Sequence, residues 1–329
     1  MGAIWQAFRR PSADCAPRSI YDAGFDVMTD FPDSGQLDLF EHSRAVALAY
    51  GVIDALLARD AALSTERFNG LCIEEPGHRA CEALQTLCRA LREWPRPSAN
   101  PAEVAEAVRW LDGRVHPAAL SALGDKAAEF MRPFWRELAC VAGQHAYDSA
   151  YPESYSASLY LRCGDAVAAA TAAHAVPNCD GNVDALHWIA VARYRAEGLN
   201  ACRAQLMRLA LLAPQRVPAL LAEIDEPLLN RDWRAFQADC HWLDSEDDTA
   251  GSWYPAWQLV EHPGMEIEIG ELATLPATRA GQTFVEIRRL LSLETRGYSA
   301  ALVSARSRLR ELSRELFALY MARRDVRHL

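Results

Sequence analysis

The chain has 329 residues, a formal net charge of −10, half of its residues apolar and about a quarter charged. That composition is ordinary for a folded globular protein, and the length suggests two domains or one elongated repeat structure. The acidic balance argues against broad nucleic-acid binding, and the charge-free stretch from Ala166 to Cys179 is too short and too alanine-rich to span a bilayer.

Residues 1–35, rich in Pro, Asp and Gly, read as an irregular N-terminal arm. The start, MGAIWQAFRRPSADCAPRS, has no continuous apolar run ahead of a small-residue cleavage site, so no secretory signal is expected. Met-Gly without Ser or Thr at the sixth position gives no myristoylation signal either. From Leu37 a helical period takes over, and residues 36–94 read as an N-terminal helical region of three helices. Arg59-Asp60 separate the first from the second, and Pro76-Gly77 separate the second from HRACEALQTLCRALREW. Residues 95–101, with Pro95, Pro97 and Pro101, read as a linker. Asn100, Pro101 and Glu103 then form a capping-box start for the region 102–329. Residues 117–146 read as helix with a break near Gly124-Asp125 and a kink at Pro133. No run of alternating β-branched residues occurs, so the expected fold class is all-α.

Within 102–329 the pattern repeats. Gly164 in YLRCGDAVAAATAAHAVP and Gly198 in YRAEGLNACRAQL lie 34 residues apart. Tyr160 and Tyr194 precede them by four, and the small residues Ala168 and Cys202, then Ala170 and Ala204, keep the same spacing. Gly297 sits in similar surroundings, and in LLNRDWRAF Asn230 is expected to take a left-handed turn. A glycine closes one helix, small residues let the next approach, and Pro214 ends it. Such a hairpin leaves an apolar face that only stacking can bury.

A period of 34 built from helix, glycine turn, helix and proline resembles the tetratricopeptide-repeat superfamily. The resemblance covers Ser154 to Pro214 and returns around Phe284 to Tyr320. It departs from the family at Trp188, one residue late, at Pro177, which comes early, and in a turn one residue short. The resemblance implies stacked antiparallel hairpins in a right-handed superhelix, whose first helices line a concave surface that commonly binds peptide segments. Carried over by register, the groove positions are Ser158 and Arg162 in one repeat and Trp188 and Arg195 in the next. An aromatic flanked by guanidinium groups suits an extended acidic or C-terminal peptide.

Other candidates read as structural. There is no H-E-x-x-H, Walker loop, G-x-S-x-G or G-x-G-x-x-G, so no catalytic, cofactor or metal site is expected. Cys240 and His241 are neighbours, which on a helix point about 100° apart and share no proton. The acidic run Asp244 to Asp248 lacks the glycine of a calcium loop, Thr249 standing in its place, and reads as a solvated loop. Trp233, Trp242, Trp253, Tyr254 and Trp257 cluster within 25 residues. They read as core at an irregular junction, with a ligand pocket for an enzyme or small-molecule sensor as the alternative.

From Arg279 onward the chain holds eleven Arg against four Glu and one Asp, a local balance of +6. Leu302, Ala305, Leu309, Leu312, Leu316 and Leu319 follow a seven-residue repeat, the spacing of a coiled-coil seam, with Arg323 at its next position. That helix is expected to pack in cis as a cap, favouring a monomer, with its basic residues facing solvent or the acidic body of the molecule; a homodimer through it is the alternative. The nine scattered cysteines form no C-x-x-C and point to a reducing cytoplasm. Lys126 is the single lysine of an Arg-, Ala- and Leu-rich chain, which reads as GC-biased bacterial coding. The function expected from all this is a cytoplasmic, non-catalytic adaptor with an unidentified protein partner, and no membrane or nucleic acid.

Overall fold

The computed structural model describes residues 34–94, 100–241, 250–265 and 277–327. These residues are helical or irregular, and no strand occurs among them. The chain divides into two compact units, Met1–Arg44 and Ala45–Leu329. Of the first, residues 34–44 are helical backbone, the opening turns of α1 (Ser34–Leu57). The rest of the expected N-terminal arm lies outside the described residues.

In the second unit local chemistry sets most boundaries. α2 (Ala61–Glu74) starts where the Asp60 carboxylate accepts from the Leu63 amide at 2.9 Å. α3 (Cys81–Glu93) follows the Pro76-Gly77 turn. α4 (Pro101–Trp110) opens with Asn100 accepting from the Ala102 amide and Pro101 at the first position, where a missing N–H leaves no bond unmade. It passes through a π-helical turn, Leu111–Val115, into α5 (His116–Leu123). Gly124, at φ +55°, ends α5 where a break is expected, and α6 (Ala127–Ala142) continues through Pro133.

The hairpins follow: α7 (Ser156–Cys163) and α8 (Ala166–His174), then α9 (Val183–Glu197) and α10 (Leu199–Leu212). Gly164 takes a left-handed conformation at φ 82° and ψ 12°, and Asp165 caps α8 through the Ala168 amide. Gly198 turns at φ 89° and ψ −170°, in a connection one residue shorter. Pro214 follows the end of α10 and leads into α11 (Val217–Ile224). α12 (Pro227–Asp239), α13 (Tyr254–Glu261), α14 (Arg279–Glu294), α15 (Ala300–Leu312) and α16 (Arg314–Arg327) complete the order.

Two expectations are corrected. The turn expected at Asn230 sits five residues earlier: Asp225 is left-handed at φ 50°, and Asn230 lies inside α12, its amide bonded to the Glu226 carbonyl. The pyrrolidine of Pro227 suits a first helical position, so the helix begins there and carries Asn230 with it. The single helix expected from Leu302 onward is two helices. Ser313 is extended at φ −153° and ψ 115°, fully buried, and its hydroxyl accepts from the Leu316 amide, so it caps α16.

Two apolar clusters fill the second unit. One is built from Ala45 to Cys163 and includes Val52, Leu56, Leu84, Leu111, Phe134 and Leu159. The elements on either side of the Pro-rich stretch 95–101 share it: Trp94 stands edge-on to Phe134 at 4.9 Å, and its indole N–H donates to Glu137. The other cluster runs from Tyr155 to Tyr320. α7 serves both, with Leu159 and Cys163 facing the first and Ala157 and Leu161 the second. Leu302, Ala305, Leu309 and Leu316 of the expected seam are buried within the chain itself. Arg323 finds its counter-charges there too, in Glu261 and Asp239. Arg306 bonds Glu294 and the Tyr320 hydroxyl.

Candidate functional site

Three helices meet along one concavity. α9 and α11 are tied by three ion pairs. Asp184 in the first turn of α9 accepts from Arg216, just ahead of α11, at 3.0 Å. Glu223, in the last turn of α11, accepts from His187, one turn into α9, at 2.8 Å and from Arg195, in the last turn of α9, at 3.4 Å. α7 joins the same side: Arg195 donates to the carbonyl of Leu161 at 2.7 Å. The start of α9 thus meets the start of α11 at Asp184 and Arg216, and the last turns of α7 and α9 meet at Leu161 and Arg195.

Between them lies a groove of about 440 Å³. All four residues that the register places on a concave face line it: Ser158 and Arg162 from α7, Trp188 and Arg195 from α9. His187, Asp184, Arg216, Glu223 and Glu153 line it as well. These last five were not read from the sequence. Asp184, Trp188 and Arg195 stand at i, i+4 and i+11 on one helix, a single stripe, and that spacing was the available signal for Asp184.

Trp188 is the floor rather than a free face. It is 7% exposed, stacks on Tyr155 at 5.5 Å and meets the edge of Tyr147 at 5.9 Å. The arginines are engaged but not used up. Arg162 lies over the Trp135 ring and sends one nitrogen to both oxygens of Asp112. A guanidinium carries five N–H donors, so each arginine keeps donors beyond those bonds. The bond from His187, with the nearby guanidinium groups, holds the Glu223 carboxyl below its usual range against the opposing effect of burial. Asp184 also accepts from the Tyr147 hydroxyl at 2.7 Å, and burial together with that carboxylate pushes the phenol up to about 12. The Nδ1 of His187 is buried without a partner among the described residues.

The aromatic segment is packed interior. Tyr254 and Trp257 are fully buried and stacked, with Phe236 and Trp233 edge-on or tilted against them. Polar atoms inside it are bonded: Gln258 donates to Asp232 and to the Tyr254 hydroxyl, and Trp257 donates to Asp239. Trp253 is half-buried, with the Arg279 guanidinium 5.9 Å from its ring. Trp242 and the acidic run 244–248 lie outside the described residues. Cys240 is buried, and burial pushes its thiol up to about 12, whereas His241 is exposed and turned to the Ala238 carbonyl. No helix among the described residues is long and apolar enough to cross a membrane. Comparison of the chain with protein-family models, with curated proteins and with solved structures finds no match.

Proposed function

We propose that the chain is a non-catalytic interaction module that holds an extended peptide segment of a partner protein in the groove between α7, α9 and α11. The arrangement of these helices fits tetratricopeptide-like stacking. α7 and α9 are first helices of hairpins in phase, and one hydrogen bond, Arg195 to Leu161, spans one period of 34 residues. The observation that carries the reading is the convergence of Ser158, Arg162, Trp188 and Arg195 on a single concavity. Its walls offer guanidinium donors and carboxylate acceptors at spacings that suit a peptide backbone and charged side chains.

The test is panning of a displayed random peptide library against the purified chain, with Ser158→Trp as the counter-selection. The tryptophan would fill the groove from a half-buried position on α7. Peptides that bind the parent and not this variant, with both proteins giving the same circular dichroism and melting behaviour, support the reading. Enriched peptides that bind both equally, or no enrichment, contradict it.

A further inference from the structure

The groove has two electrically different ends. At the N-terminal ends of the helices stand Glu153, Asp184 and Arg216, two carboxylates against one guanidinium. At the C-terminal ends stand Arg162, Arg195 and Glu223, two guanidiniums against one carboxylate. Asp112, which is not part of the lining, pairs with one nitrogen of Arg162. Glu153 is exposed and has no ion-pair partner among the described residues.

Helix dipoles oppose this order, since they favour anions at helix N-termini and cations at C-termini. Here the terminal groups that carry the dipole are partly satisfied. The Asn182 side chain accepts from the amides of Asp184 and Ala185 at the start of α9. Arg195 itself occupies the Leu161 carbonyl at the end of α7. Formal charges that line the groove outweigh half-charges already bonded.

We infer that the groove selects a dipolar segment, with a basic side chain beside Glu153 and Asp184 and a carboxylate beside Arg162 and Arg195. The inference rests on the peptide-binding reading above and specifies its ligand. Asp184 and Arg195 are eleven residues apart on one helix, about 16 Å along its axis. An extended chain covers that in about five residues. A purely acidic segment would meet Glu153 and Asp184 at one end, and a purely basic one would meet Arg162 and Arg195 at the other. Trp188 and Ser158 lie between the two ends and leave the middle of the segment to shape and backbone bonds.

The experiment uses the full chain and end-blocked synthetic peptides with Lys and Asp about five residues apart. Isomers carry Glu for Lys, Lys for Asp, or a spacing of about two residues. Each exposed charge pair contributes a few-fold, so the dipolar peptide is expected to bind about tenfold more tightly than any of these by calorimetry. Arg162→Gln should weaken it, and should do so no further once the peptide Asp is Asn. Glu153→Gln should act likewise with the peptide Lys. Binding that Ser158→Trp abolishes, but that is as tight for the acidic isomer, overturns the charge order and leaves the groove standing. No binding by any isomer beyond that of Ser158→Trp overturns the charge order too, and with the library result above it separates a wrong ligand from a wrong groove.

Discussion

The guanidinium of Arg195 donates to the backbone oxygen of Leu161, 34 residues earlier, at 2.7 Å. The bond joins α7 to α9 and also fixes one wall of the groove. Arg195→Met keeps the apolar stem and removes the donors. A hydrogen bond from a charged donor contributes about 1.5–3 kcal/mol when buried, and this half-exposed one should contribute about 1 kcal/mol. Urea unfolding should show that loss with an unchanged slope. An unchanged midpoint would mean that the two helices hold their register without it.

Gly164 and Gly198 occupy equivalent turns with different backbones. Gly164 is left-handed, a region that Asn tolerates, and a Cβ there meets open space. Gly198, at φ 89° and ψ −170°, sits where only glycine is at ease. Gly164→Asn should therefore cost less than about 1 kcal/mol, and Gly198→Asn about 1–3 kcal/mol. Equal melting temperatures for the two variants would sink this distinction.

Glu223 gives the groove an acid dependence. Its carboxyl titrates lower in the folded chain than in the unfolded one, chiefly through the bond from His187. It therefore adds stability above the unfolded value of about 4.3, and that contribution vanishes as pH falls through the lowered folded value. Glu223→Gln should melt below the parent at neutral pH, with the gap closing as the pH is taken below about 4.3. A gap that stays constant across that range would show that the carboxylate charge is not what stabilises the site.

Trp257 tests whether the aromatic segment is interior. It is 2% exposed, stacked on Tyr254 and bonded to Asp239. Trp257→Ala should cost about 3–5 kcal/mol, the range for emptying a large aromatic site. A loss within the range of surface substitutions would return the segment to the list of binding sites.

The glycine turns and several helix caps were legible because each is decided by two or three neighbouring residues. Gly164, Gly198 and Asn100 needed no knowledge of the fold. The groove residues on α7 and α9 were legible through phase: once two turns were set 34 residues apart, Ser158, Arg162, Trp188 and Arg195 fell on first helices. Their counter-charges were not. Glu223 and Arg216 belong to α11, and taking Asn230 as the next turn hid that helix from the register. Which carboxylate meets which guanidinium depends on how far one hairpin is displaced from the next, a tertiary quantity. The break at Ser313 was masked by the seven-residue apolar pattern, which continues across it. A Ser that caps the next helix, followed by Glu315, was the overlooked local signal.

The most direct measurement of the central claim follows the indole N–H resonances of a nitrogen-labelled chain while a library-selected peptide is added. The account predicts that the Trp188 signal, at the floor of the groove, moves in proportion to occupancy while that of Trp257 stays still. A shift at Trp257 or Trp233 with Trp188 unmoved would place the ligand in the aromatic segment and contradict the account.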